Sequence, residues 1–313
     1  MKIVYFGSGE FGCPTLQWLV DSRHDILEII TQPDRPAGRG KKIQPTPIAQ
    51  LAQNSHRDYR GIEDIKKQEF IEHIIDLKPE ILLVIAFGQK VPDKLIQIPN
   101  CRAINLHSSL LPKYRGAAPI NWAIINGDKQ TGLTIIELNE IWDAGAILAQ
   151  SVTDIYPTET AGQLHDRLAR MGPKLVSDTL DKIAHGTDQA IAQDATLSSR
   201  APKMKRTDGA INWGKTAEQI RNHIHGTWPW PGAYCYLQQQ NKKPLRVKIA
   251  RAEVAPSAPS TQPGMLMENL TIACGSNSCL KLLQVQPEGK KLIDFTDFVN
   301  GRHLRPGNIF LNG

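Results

Sequence analysis

Asn105 and His107 stand two residues apart at the end of a short apolar run, Cys101–Leu106, and Asp143 follows in Trp142-Asp143-Ala144-Gly145. If the run is a strand, alternate side chains share a face, so Asn105 and His107 project together. An amide, an imidazole and a carboxylate are the groups needed to move an acyl group onto an amine. The amide donates to the oxyanion that develops at the attacked carbon. The imidazole assists when it is charged, and the carboxylate holds it and relays protons. The residues alone leave other readings open. Asn-x-His also fits a capping or turn pair, and an Asp before Ala-Gly fits a turn.

A second motif invites different chemistry. Gly7-Ser8-Gly9-Glu10-Phe11-Gly12 follows the apolar run Lys2–Phe6 and precedes a stretch with Leu16, Leu19 and Val20 at helical spacing. In form it is the glycine-rich turn that admits a dinucleotide pyrophosphate at a helix N-terminus. That site also wants an acidic residue about 20 positions on. Glu28 falls inside the next strand and Asp34 falls late, between two prolines. Glu10 places a carboxylate where a phosphate would lie. We read the glycines as a turn that lets strand and helix pack closely.

The elements that must position these residues alternate. Strands are predicted at Lys2–Phe6, Ile26–Thr31, Ile81–Ala86, Cys101–Leu106 and Gly132–Leu138. Helices are predicted after Gly12 and at Phe70–Leu77, Pro119–Ile125 and Ala161–Ala184. Apolar strands alternating with helices argue a parallel sheet covered on both faces, and such sheets place ligands at the carboxyl ends of their strands. The character changes near residue 190. Ala195–Lys205 reads as a linker, Ala217–Ile224 as a helix, and the short runs beyond it as the strands of a small β-barrel. The expected organisation is an α/β catalytic domain over 1–190, a linker over 191–206 and a β-barrel domain over 207–313.

Bulk properties narrow the function classes. The 313 residues suggest about two domains. No run of about 18 apolar residues is present, and no signal peptide is read at the start, so neither a membrane span nor export is expected. Five cysteines, Cys13, Cys101, Cys235, Cys274 and Cys279, fit no zinc spacing and suggest reduced thiols in the cytoplasm. No metal is expected. The net charge of +6 is uneven: residues 203–313 hold fifteen Lys/Arg against seven Asp/Glu, and residues 1–202 hold twenty-two against twenty-four. Such asymmetry suggests that one half faces a polyanion.

The stretches Ile104–Asp128 and Thr131–Gly145 resemble the signature of the folate-dependent formyltransferase family. Thr31–Lys42 (TQPDRPAGRGKK), Trp228–Tyr234 (WPWPGAY) and Leu282–Lys290 (LLQVQPEGK) are similar to the branch of that family that acts on methionyl-tRNA. The resemblance covers nearly the whole chain. It implies a Rossmann-like domain followed by an OB-like barrel, with 10-formyltetrahydrofolate as co-substrate and methionyl-initiator tRNA as partner in translation initiation. It implies that Asn105, His107 and Asp143 are catalytic. Ser109, Leu110, Leu111 and Pro112 would help form the folate site, with Phe87, Gln89 and Val91 on a loop near the pterin. Arg35, Arg39, Lys41 and Lys42 would approach the tRNA acceptor stem. A monomer is expected. The chain departs from the family pattern at Ile141 and Trp142, where Gly and Leu are usual, and in its first glycine turn.

Three rival readings remain at this level. One is a formyltransferase acting on a sugar amine or a purine precursor. The second is a nicotinamide-dependent oxidoreductase, and the third a non-enzymatic RNA-binding module.

Overall fold

The computed structural model describes residues 1–37, 40, 42–238, 243–256 and 261–313. Contacts divide the chain into two compact units. The first comprises Met1–Gly116, Gly132–Thr153 and His165–Arg200, and the second Ala117–Thr131, Asp154–Leu164 and Ala201–Gly313.

In the first unit the order is β1 (Lys2–Gly7), α1 (Cys13–Val20), β2 (Asp25–Thr31), β3 (Arg35–Ala37), β4 (Lys42–Gln44), α2 (Pro47–Asn54), β5 (Arg60–Gly61), α3 (Gln68–Asp76), β6 (Ile81–Ile85), α4 (Asp93–Ile96) and β7 (Arg102–His107). After β8 (Arg115–Gly116) and α5 (Pro119–Ile125) the chain returns through β9 (Gln130–Glu137), β10 (Ile147–Asp154) and the long α6 (Ala161–Ala184). Seven strands form one sheet in the order β10-β9-β7-β6-β1-β2-β5. The parallel arrangement expected from the sequence holds from β5 to β7. It stops there, because β9 pairs antiparallel to β7, with Asn105 opposite Ile136 and His107 opposite Thr134. Apolar runs report that a strand is buried on both faces, not the direction in which it runs.

Alternation along the strands divides the core into two layers. Val4, Phe6, Leu82, Val84 and Ala103 join Phe70, Ile71 and Ile74 of α3 and Leu95 of α4 in one cluster. Phe70 and Phe87 meet the Phe6 ring edge-on at 6.4 and 5.5 Å. Burying each such ring contributes roughly 1.5–3 kcal/mol. The opposite face carries α1 and α6. There Gly172 brings α6 so close that a Cβ would stand 2.8 Å from Thr15 Oγ1 and 3.0 Å from Leu106 Cδ2.

The glycine turn after β1 is filled from within. Tyr5 is fully buried, and its hydroxyl donates to the Gly12 carbonyl at 3.1 Å. A Cβ on Gly12 would stand 2.2 Å from that hydroxyl oxygen. The turn is glycine-rich because a phenol occupies the space beneath it, which supports the packing reading. Two histidines of this unit have side-chain partners. His73 Nε2 lies 2.7 Å from Glu28 Oε2, and the His24 ring packs edge-on against Trp18. The first contact has no local sequence signal, since Glu28 is 45 residues from His73.

Residues 195–205, read as a linker, contain a 3-10 turn at Ala195–Leu197 and the short β11 (Arg200–Ala201). In the second unit, α7 (Ala217–Thr227) starts from a reciprocal cap between Thr216 and Gln219. It is followed by β12 (Ala233–Leu237), β13 (Leu245–Ala255), β14 (Thr271–Cys274), β15 (Ser278–Pro287), β16 (Ile293–Asp294), α8 (Phe295–Arg302) and β17 (Phe310–Leu311). The principal strand order is β14-β15-β13-β12-β17, with β16 beside β15. Its edges are joined by the segment 264–267. Gly264 donates to Ala273 in β14, and Phe310 in β17 donates to Gly264. The sheet thereby curls around a core of Trp213, Ile249, Leu280, Phe298 and Phe310. Among the described residues no helix is long and apolar enough to cross a membrane, and no group of three or more His, Cys, Asp or Glu could hold a metal.

Candidate active site

Residues 103, 105 and 107 share one face of β7, and Ala103 belongs to the cluster under α3 and α4. Asn105 and His107 extend that face to the carboxyl end of the strand. His107 is buried, and its Nε2 lies 3.0 Å from the Tyr114 carbonyl. A carbonyl only accepts, so this contact assigns the proton to Nε2 and leaves Nδ1 facing Asp143 Oδ1 at 3.7 Å. Protonating Nδ1 would seat an imidazolium between the carbonyl and the carboxylate.

Asp143 is held in the left-handed region (φ 54°), a conformation Asp tolerates better than most residues. Three contacts fix its loop. The Gly116 amide donates to Asp143 Oδ2 at 2.8 Å. Gln193 Nε2 donates to the carbonyls of Asp143 and Gly145 at 2.9 and 2.8 Å, and Arg115 holds the Gln193 oxygen. Gly145 passes directly against β9, where a Cβ would stand 1.7 Å from the Glu137 carbonyl oxygen. Local sequence does not mark Gln193, a lone amide 50 residues beyond the loop it secures.

A cavity opens at this edge of the sheet. Asn105 and Asp143 line it, together with Val84, Val91, Ile136 and Leu138; His107 does not. Ile141 and Trp142 stand at its margin, 66% and 57% exposed. Of the three residues expected near a pterin, Gln89 and Val91 line the cavity. The Gln89 amide is engaged, accepting from the Ile65 amide at 3.4 Å and donating to the Ile62 carbonyl at 3.1 Å. The Phe87 ring is in the core, and its carbonyl accepts from Ser8 and Gln32.

Ser109, Leu110, Leu111 and Pro112 do not line this cavity. Ser109 and Leu111 are buried, and Thr134 fastens the segment by donating to Ser109 O at 2.7 Å and accepting from Leu111 N at 3.1 Å. Gln150 adds bonds to Leu111 O and to Thr134. A hydroxyl inside the apolar strand GLTIIEL was the available signal for Thr134, because a buried hydroxyl needs a partner. Arg35 and Lys42 are exposed on the β3–β4 hairpin; Arg39 and Lys41 lie outside the described residues.

A sheet with an amide, an imidazole and a carboxylate gathered at a strand end, followed by a small curled sheet, is matched by two family models. "Formyl transferase" covers residues 1–180, and "Formyl transferase, C-terminal domain" covers residues 203–303. The methionyl-tRNA formyltransferase of Citrifermentans bemidjiense is 40% identical over 313 residues, covering 99% of this chain and 96% of that protein. That of Geotalea uraniireducens is 40% identical over 309 residues, covering 99% and 97%. The chain belongs to the methionyl-tRNA formyltransferase family.

Solved structures share the fold at lower identity. An N-formyltransferase from Helicobacter canadensis, in complex with folinic acid and dTDP-3-aminofucose, matches with a TM-score of 0.63 and 17% identity, covering 92% of this chain and 99% of that one. HypX from Aquifex aeolicus, in complex with tetrahydrofolic acid, matches with a TM-score of 0.61 and 13% identity. That match covers 96% of this chain, which spans about half (47%) of HypX.

Proposed function

We propose that this chain transfers the formyl group of 10-formyltetrahydrofolate to the α-amino group of methionine esterified to initiator tRNA, in the cytoplasm, for translation initiation. The observation that carries the reading is the convergence of Asn105 and Asp143 on one cavity beside His107, in a chain about 40% identical to curated methionyl-tRNA formyltransferases along nearly its full length.

The cavity fits the co-substrate in its chemistry. Val84, Val91, Ile136 and Leu138 offer apolar walls to a flat bicyclic ring, and the backbone of 89–91 offers donors and acceptors to its edge. When bound, 10-formyltetrahydrofolate supplies the activated formyl carbon.

The chain's own residues do the rest. The Asn105 amide donates to the formyl oxygen as negative charge develops there. His107, fixed by the Tyr114 carbonyl, brings Nδ1 toward Asp143, and a proton taken from the attacking amine is held between these two groups until it passes to the folate nitrogen as that nitrogen's bond to the formyl carbon breaks. The pinned loop keeps the Asp143 carboxylate in place without substrate, so little reorganisation is left for the reacting state. The basic segment 35–42, which carries Arg35, Arg39, Lys41 and Lys42 in sequence, serves the acceptor stem, and the positive excess of residues 203–313 serves the tRNA backbone.

The test is transfer of labelled formyl from 10-formyltetrahydrofolate to methionyl-initiator tRNA, with uncharged tRNA as control. Label on the charged species alone is the expected result. No transfer, with folate still bound, would overturn the tRNA reading and redirect the search to small amine acceptors.

A further inference from the structure

Residues 193–199 follow α6 in the chain, and apart from Gln193 the chemistry above gives them no part. The segment is tied to the sheet just ahead of them. Asp188 pairs with Arg102 at the start of β7. Ile191 exchanges both backbone hydrogen bonds with Ile147 of β10, at 2.7 and 2.9 Å. The 3-10 turn at Ala195–Leu197 comes next, capped by Asp194, whose carboxylate accepts from the Thr196 amide at 2.9 Å. Ser198 Oγ closes the turn by donating to the Ala195 carbonyl at 2.7 Å. These bonds are all local, so the turn fixes the spacing between Gln193 on one side of it and Ser199 on the other.

Each end of this strap reaches one member of the His107–Asp143 pair. Gln193 holds the Asp143 carbonyl at 2.9 Å. Ser199 holds Tyr114 on both sides. The Tyr114 amide donates to Ser199 Oγ at 2.9 Å, and the Arg115 amide donates to the Ser199 carbonyl at 2.8 Å. The Arg115 amide and the Tyr114 carbonyl belong to one rigid peptide plane. Its N–H end rests on Ser199, and its C=O end accepts from His107 Nε2 at 3.0 Å. Both residues that the strap grips are left-handed, Tyr114 at φ 63° and Asp143 at φ 54°. That region disfavours a side chain as bulky as tyrosine, so the surroundings must keep it there.

We propose that residues 193–199 are a positioning strap for the proton relay: Gln193 sets Asp143, and Ser199, through Tyr114, keeps the His107 proton on Nε2 so that Nδ1 faces Asp143 as an acceptor. The inference rests on the function proposed above and extends it to residues that touch neither substrate nor reacting atoms. Without the Ser199 hydroxyl, one of the two peptide planes that define the Tyr114 turn is released. The Tyr114 carbonyl then no longer stands fixed at Nε2, and the neutral ring carries its proton on either nitrogen. A ring with the proton on Nδ1 donates to Asp143 and has no lone pair there to take a proton from the attacking amine. The strap therefore acts on the rate of the chemical step rather than on the binding of either substrate.

The experiment joins steady-state kinetics to nitrogen-15 NMR of the imidazole rings on the full chain, with the His107 signals assigned by their loss in His107→Gln. Ser199 is exposed, so Ser199→Ala removes the hydroxyl and little packing, and the variant should fold. The wild type should show His107 with its proton on Nε2 alone, and Ser199→Ala a mixture of the two tautomers. In that variant kcat should fall by about tenfold or more, the scale of a small misplacement of a reacting group, while both KM values stay unmoved. Ser199→Thr, which keeps the hydroxyl, should restore tautomer and rate together. Gln193→Glu keeps an acceptor for Arg115 but loses the donor to Asp143, and should lower kcat with the His107 tautomer unchanged. A folded Ser199→Ala with wild-type tautomer and kcat would overturn the strap, and so would an equal loss in Ser199→Thr. Wild-type kcat in Gln193→Glu would overturn the Gln193 arm. The tautomer is read without substrate, so a wild-type chain that fails to formylate methionyl-tRNA while Ser199 still sets the tautomer would overturn the functional reading and support the strap.

Discussion

Asn105 and Asp143 reach one cavity from different elements, the first from the end of β7 and the second from the loop after β9. Asn105 is the simplest group to interrogate, because among the described residues no side-chain hydrogen bond holds its amide. Asn105→Ala should therefore leave thermal stability near that of the wild type and lower kcat by roughly 10²–10³, the usual cost of removing one oxyanion donor. A variant with near-normal turnover would remove Asn105 from the chemistry. His107 differs in kind. Its ring is buried and already committed to the Tyr114 carbonyl, so its orientation is part of the fold.

At the scale of elements, the 139–145 loop is set by what surrounds it. Gly145→Ala should be costly, because the added Cβ would stand 1.7 Å from a β9 carbonyl oxygen that cannot move without breaking the sheet. The expected outcome is destabilisation of about 1–3 kcal/mol by urea unfolding, with turnover lost as Asp143 shifts. Wild-type stability and rate would show that the loop is not held by this contact. Asn105 and His107 were legible in the sequence because strand alternation is local and strong. So were the apolar strands and the helices after Gly12, at Phe70–Leu77 and at Ala161–Ala184. The reversed direction of β9 was not, because direction leaves no mark on a strand buried on both faces. Nor was the anchor Gln193, a lone amide that acts through carbonyls far away in sequence, while the hydroxyl of Thr134 inside an apolar strand signals that a partner is needed without saying which. The Ser109–Pro112 segment shows the same limit. Family resemblance pointed to its importance, while its hydrogen bonds to Thr134 and Gln150 tie it into the fold beside the cavity.

Over the whole molecule, proton uptake links the barrel to pH. His225 on α7 is 3% exposed, and its Nε2 accepts from the Ala252 amide at 3.3 Å. Burial, reinforced by Arg221 and Arg251, pushes its pKa down to about 4. The folded chain thus holds this ring neutral where the unfolded chain, with a pKa of about 6.5, would protonate it. The unfolded state gains the extra proton, so stability is complete above about pH 6.5 and falls as pH drops toward 4, with no further loss from this group below that. The loss is of order 3 kcal/mol across the window. Urea midpoints of the wild type at pH 7 and pH 4.5 should therefore differ by more than those of His225→Gln. An equal difference in the two proteins would exclude His225 as the origin.

The carboxylate of Asp143 is shared, with one oxygen facing His107 and the other receiving the Gly116 amide. In the language of selection, the codon is constrained twice. Asn could keep the turn at residue 116 fastened but would forfeit the charge, and Ala would forfeit both. Two independent demands on a single side chain leave no neutral neighbour through which the position could drift, and its lineage can change only if another residue first takes over one of the two duties.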